Sequence, residues 1–208
     1  IVDMAARIKP DVRVITLDTG RLPEETYAMI DVVRQRYGIA VETVSPDAAE
    51  LESMLAQHGP NLFRNDVAFR MLCCEIRKIR PLERKLRTFK AYMVGLRRGQ
   101  SDTRAGIQTI DESGPAVKIS PLADWTAEQV SEYTRVNQVP VHPLYAKGYA
   151  SIGCEPCTRS VEAGEDERAG RWWWERDASK ECGIHFSPSG RAERQVDVLL
   201  REVLAAHV

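Results

Sequence analysis

Asp11-Val12-Arg13-Val14-Ile15-Thr16-Leu17-Asp18-Thr19-Gly20 is the stretch whose reading decides the fold. A β-branched run that closes on Asp-Thr-Gly reads as a buried strand followed by a loop. Pro23 to Tyr37 then reads as a helix, with Ile30, Val33 and Tyr37 along one side and Gly38 as its stop. Ile39 to Val44 is a second strand, closed by Ser45-Pro46. Asp47 caps a helix through Gln57 that ends near Gly59-Pro60. Strand and helix alternate, and that order predicts an α/β fold with a parallel sheet flanked by helices.

The same alternation continues. A long helical stretch covers Asp66 to Arg80, with Pro81 kinking it or starting the next helix. Lys90 to Leu96 is a third strand, and Val117 to Ile119 a short further one. Arg97 to Ser113 reads as a polar loop. Thr126 caps a helix to about Val136, and residues 137 to 170 read as irregular, which in a long run points to function. A final helix, Ala192 to Ala206, carries Val196, Leu199, Leu200, Val203 and Leu204 at helical spacing, the mark of a packing face.

The chain has 208 residues, 43% hydrophobic and 28% charged, which excludes a disordered or fibrous protein. No stretch approaches the apolar length of a membrane span. No basic-then-apolar leader opens it, so a cytoplasmic location is expected. Net charge is only −1, yet eleven Lys/Arg against three acids fall between Arg70 and Arg104. Such a segment fits a local anionic ligand as well as a solvated face. Without aromatic interleaving or a nucleic-acid motif, polynucleotide binding is not expected.

Five cysteines occur: Cys73-Cys74, Cys154-x-x-Cys157 and Cys182. The first four can supply thiolates for a metal or cluster site. An adjacent pair suits a zinc chelate poorly and a larger 4Fe–4S body better, while unliganded thiols remain a third reading. Cys182 stands in Lys180-Glu-Cys-Gly-Ile-His185, polar surroundings that favour a nucleophilic thiolate, against the alternative of a surface cysteine beside an incidental histidine. Just before it lies Arg168-Ala-Gly-Arg171-Trp172-Trp173-Trp174. Three consecutive tryptophans cannot all point inward from one element.

Leu17-Asp-Thr-Gly-Arg-Leu22 with Glu25-Thr-Tyr27, Cys73-Cys74 with Arg77-Lys78, Gly95-Leu-Arg-Arg98, Gly153-Cys-Glu-Pro-Cys-Thr158, the Arg168 to Trp174 run and Glu181-Cys-Gly-Ile-His185 together resemble one family. It is the phosphoadenylyl-sulfate reductase family, in its cluster-bearing branch, the assimilatory adenylyl-sulfate reductases. The resemblance implies an adenine-nucleotide α-hydrolase-like fold. Residues 1–165 would form a nucleotide-binding and iron-sulfur domain, lacking the family's first strand and phosphate loop, and residues 166–208 a C-terminal catalytic tail and helix. Pro23-Glu24 replaces the aromatic-proline pair common after the Leu-Asp-Thr-Gly motif.

The resemblance also implies an activity: adenylyl sulfate and reduced thioredoxin, or a glutaredoxin-like dithiol, give sulfite and AMP in sulfate assimilation, on the way to cysteine. Cys182 would attack the sulfuryl sulfur and form an S-sulfocysteine. His185 would position the tail or contact substrate. Lys78, four residues after Cys74 and expected on the same helix face, would stand between cluster and substrate. Arg168 and Arg171 would hold the phosphosulfate, with Arg97 and Arg98 as further candidates and Asp18, Thr19 and Gly20 as a nucleotide loop. Cys73, Cys74, Cys154 and Cys157 would ligate a 4Fe–4S cluster, and a homo-oligomer is expected. The rival readings are a 3′-phosphoadenylyl-sulfate reductase, a zinc-bearing sulfur transferase and a cluster-bearing redox sensor without catalysis.

Overall fold

The computed structural model describes residues 1–175 and 190–205. Its elements run α1 (Val2–Ile8), β1 (Val14–Leu17), α2 (Glu24–Tyr37), β2 (Val41–Val44), α3 (Ala48–His58), α4 (Val67–Cys74), α5 (Arg80–Leu86), β3 (Ala91–Met93), β4 (Ile110–Asp111), β5 (Val117–Ile119), α6 (Ala127–Val136) and α7 (Gly190–Ala205). This is the α/β order that the opening stretch predicts. β1 pairs with β2. A second sheet has the order β3-β5-β4, with β3 parallel and β4 antiparallel to β5. β4 lies inside the segment expected to be loop. It is two residues long, and the Asp111–Lys118 ion pair (2.6 Å) supports it across the strands.

The chain divides into two compact units. The first comprises Ile1–Thr16, Arg21–Thr43 and Leu86–Trp173. Its core includes Leu86, Leu96, Leu122, Leu144 and Trp172. Asp3 on α1 is buried there. Its carboxylate accepts from the hydroxyls of Tyr37 (3.1 Å) and Tyr133 (2.6 Å) and pairs with Arg7, which fastens α1 to the end of α2 and to α6. Burial works to raise the Asp3 pKa, but these donors outweigh it and the net direction is downward. Gly38 closes α2 in the left-handed conformation (φ 64°), as the sequence predicts. At α6 the Thr126 side chain accepts from the Gln129 N–H, and Gln129 reaches back to the Thr126 N–H.

The second unit comprises Leu17–Gly20, Val44–Lys85 and Trp174–Val208. Met54, Leu62, Phe63, Leu72, Ile76 and Val203 form its core. Asp47 caps α3 by accepting from the N–H groups of Ala49 and Glu50, and Asp66 caps α4 by accepting from Phe69. The helix expected over Asp66 to Arg80 does not run through as α-helix. It changes to a π-helical segment at Glu75–Ile79 before α5 begins. Pro81 has no N–H for the Arg77 carbonyl, and the Arg80 N–H bonds instead to Glu75, five residues back. α7 docks on α3 and α4: Val196 and Val203 are buried, and the Ser53 hydroxyl donates to the Val203 carbonyl (2.8 Å). Val196 and Val203 of its apolar stripe therefore belong to the core, while Leu199, Leu200 and Leu204 stay half-exposed. No described helix is long and apolar enough to cross a membrane.

Candidate active site

In the first unit the site is built around the C-x-x-C turn. Cys154 to Cys157 form a tight turn in which the Cys157 N–H donates to the Cys154 carbonyl (3.0 Å) and Pro156 fits the turn's early positions. The Thr158 hydroxyl donates to the same carbonyl (2.8 Å), and the Glu155 N–H donates to the Arg21 carbonyl (2.8 Å). A short antiparallel ladder then joins this turn to the arginine-tryptophan segment. The Arg159 N–H donates to the Gly170 carbonyl (2.9 Å), Thr158 bridges Arg171, and the Trp172 N–H donates to the Cys157 carbonyl (3.2 Å). Trp172 is fully buried with φ 42°, a strained conformation for a bulky residue. Trp173 is exposed.

That ladder carries two arginines to one hydroxyl. Arg168 Nη1 and Arg171 Nη1 each lie 3.4 Å from Ser151 Oγ. Arg171 is only 6% exposed, its guanidinium stacks 4.6 Å from the Trp172 ring centroid, and its Nε is buried without a hydrogen-bond partner. A buried guanidinium with an unfilled Nε–H keeps one charged donor available to an acceptor. Arg98 is engaged elsewhere: Nε donates to the Ile107 carbonyl (2.8 Å) and Nη1 pairs with Asp124. Arg97 is half-buried, within electrostatic range of Glu128 and Tyr145.

His142 lies in the same unit. Its Nδ1 accepts from the Leu144 N–H (3.3 Å), so Nε2 carries the proton and donates to Thr26 Oγ1 (3.0 Å). Burial lowers its pKa, with Glu25 working in the opposite direction.

In the second unit Cys73 and Cys74 end α4, both buried, and the π segment begins directly after them. Lys78 lies on that segment and is half-buried. Four residues separate Lys78 from Cys74, across the change from α- to π-helical winding. Arg77, its neighbour on the same segment, turns inward. It is 5% exposed and donates from Nη1 to the Thr19 carbonyl (2.5 Å), and its Nε is buried without a partner. The loop it grips is Asp18-Thr19-Gly20. There Gly20 is left-handed (φ 69°), its N–H donates to Asp18 Oδ1 (2.7 Å), and Thr19 is buried. Arg77 is not among the substrate contacts expected from the sequence, because within a basic run nothing marks which arginine is buried.

None of the four described cysteines is in a disulfide. Among the described residues, no three His, Cys, Asp or Glu side chains gather to hold a metal ion. Cys182 and His185 lie outside the described residues.

Comparison with known proteins gives this arrangement its class. The family model for the phosphoadenosine phosphosulfate reductase domain matches residues 1–160, and the chain belongs to that family. A relative from Burkholderia cepacia called adenosine 5′-phosphosulfate reductase is 49% identical over 176 residues, covering 84% of this chain and 70% of the relative. One of the same name from Allochromatium vinosum is 43% identical over 193 residues, covering 90% and 75%. The solved phosphoadenylyl-sulfate reductase of Candida auris, a phosphate complex, superposes with a TM-score of 0.63 at 28% identity, covering 77% of this chain and 76% of that one.

Proposed function

We propose that this chain reduces adenylyl sulfate to sulfite and AMP in sulfate assimilation. The observation that carries the reading is the buried Arg171, with its unfilled Nε, beside Arg168 on the Ser151 hydroxyl. Two guanidinium groups so placed suit the adjoining phosphate and sulfate of the substrate. The relatives at 43–49% identity are named for adenosine 5′-phosphosulfate, which supports that nucleotide as the substrate of this chain.

In this reading the Cys182 thiolate attacks the sulfuryl sulfur. The S–O bond to AMP breaks, and AMP leaves with the electron pair. A dithiol of the thioredoxin or glutaredoxin kind then attacks Cys182 Sγ, and sulfite departs with the S–S bond pair. The second thiol of the donor resolves the mixed disulfide and restores Cys182, so the donor supplies both electrons. His185 positions the reacting segment. Lys78 contributes positive charge to the anion-on-anion attack, and Asp18, Thr19 and Gly20, braced by Arg77, line the nucleotide. Arg97 is a secondary substrate contact. Arg98 serves that role only if it leaves Asp124.

Cys73, Cys74, Cys154 and Cys157 would hold a 4Fe–4S cluster. The donor set fits by its chemistry: four buried thiols, none in a disulfide, two at the end of α4 and two in the Cys154–Cys157 turn. When bound, the cluster supplies local structure and electrostatics. The enzyme is expected to be cytoplasmic and homo-oligomeric.

The test is anaerobic. The full chain, incubated with adenylyl sulfate and no reductant, should gain the mass of one sulfonate at Cys182, and added thioredoxin should release sulfite. Cys182→Ser should lose sulfite release completely while iron and sulfide content stay the same. Sulfonate on another residue, or retained turnover in the variant, contradicts the assignment. Faster sulfite release from 3′-phosphoadenylyl sulfate would move the chain to the other branch.

A further inference from the structure

Gly153, the residue directly before Cys154, occupies a position where a thiol-bearing turn alone does not require glycine. It is not one of the residues with positive φ. What excludes a side chain is Arg171. A Cβ on Gly153 would stand 2.2 Å from Nη2, 2.6 Å from Cζ and 2.8 Å from Nη1 of that guanidinium. The Trp172 ring lies 4.6 Å from Cζ, and Ser151 Oγ lies 3.4 Å from Nη1. The backbone is tied in the same place. The Thr158–Arg171 bridge and the Trp172 to Cys157 hydrogen bond fix the arginine's main chain to the cysteine turn.

We propose that Gly153 is a positioning residue for Arg171: its empty side-chain space is the seat in which the guanidinium rests, so the grip on an anionic substrate depends on a residue that touches neither substrate nor thiol. The inference rests on the reading that Arg171 holds the phosphosulfate group. The chemistry is simple. An arginine head is flexible, so a methyl at Gly153 would not prevent folding. It would push the head out of its buried position, and the pre-aimed donors would be lost.

The experiment compares Gly153→Ala, Arg171→Lys and the double variant in the full-length holoprotein. Gly153→Ala should raise KM for adenylyl sulfate about tenfold or more, the value of a lost charged hydrogen bond. kcat should stay within about twofold, and iron and sulfide content should stay unchanged. Arg171→Lys should raise KM similarly, and the double variant should show no further rise, because the glycine acts only through the guanidinium. An unchanged KM in Gly153→Ala, additive penalties in the double variant, or lost iron in place of a KM change overturns the proposal. Should Gly153→Ala be insoluble, recovery of folding in the double variant supports the seat and failure of both overturns it. If the wild type makes no sulfite, the reaction assignment fails on its own. The seat is then read by calorimetry with inorganic phosphate, which should bind the wild type more tightly than Gly153→Ala. Equal affinity, or none in the wild type, overturns it.

Discussion

Arg70 and Glu175 form an ion pair (2.7 Å) with 4% and 6% side-chain exposure, and Glu175 Oε2 has no hydrogen-bond partner. Taking two charges this far from water is worthwhile only while both are present. Arg70→Leu should therefore destabilise the protein by about 3–5 kcal/mol, because a carboxylate is left buried and uncompensated. The double change Arg70→Leu with Glu175→Leu should recover much of that loss. Chemical denaturation of the wild type, Arg70→Leu and the double variant checks the pattern, and a single variant no weaker than the double would contradict it. The pair has no signature in the sequence: Arg70 and Glu175 are far apart in the chain and each looks like a surface charge. Arg77 and Gly153 escape a sequence reading for the same reason, since burial of one basic residue among eleven, or the need for space at one glycine, is decided by tertiary packing. The cysteine pairs stand out by their local spacing, whereas Arg168 and Arg171 are singled out only through the family resemblance.

The elements show the same division. α2, α3 and α6 announce themselves through Gly38, Asp47 and Thr126, whose side chains or backbone freedom act within a turn or two. The π segment does not, because Pro81 signals a break without saying how the backbone absorbs it. β4 is too short for any periodicity. The turn that starts at His142 offers a titration. Neutral Nδ1 accepts from Leu144, and a proton there would abolish the cap. Since burial depresses the folded pKa below the usual histidine range, the unfolded chain takes up the proton first, and stability is complete above about pH 6.5 and declines as pH falls through the folded value. His142→Asn keeps an acceptor for the cap without titrating. Its stability between pH 7 and 5 should lack the histidine's share of the decline, and identical slopes for both proteins would rule the cap out as the titrating contact.

At the scale of the whole molecule, each unit has its own core, and the segment with the proposed nucleophile belongs by its two ends to the second. Trp174 packs on Phe63, with ring centroids 5.8 Å apart, Glu175 pairs with Arg70, and beyond the segment α7 docks on α3 and α4. The C-terminal helix is thus part of the architecture. Val203→Asp, which places a carboxylate at a fully buried position, should cost several kcal/mol and lower the unfolding temperature, whereas the change at half-exposed Leu204 to Asp should cost far less. Similar effects at both positions would mean that α7 does not rest on the face described.

Fastening the chain on both sides of Cys182 has a geometric outcome. Seven peptide units separate Cys182 from Glu175, so the sulfur is leashed to within roughly 25 Å of that anchor however the chain bends.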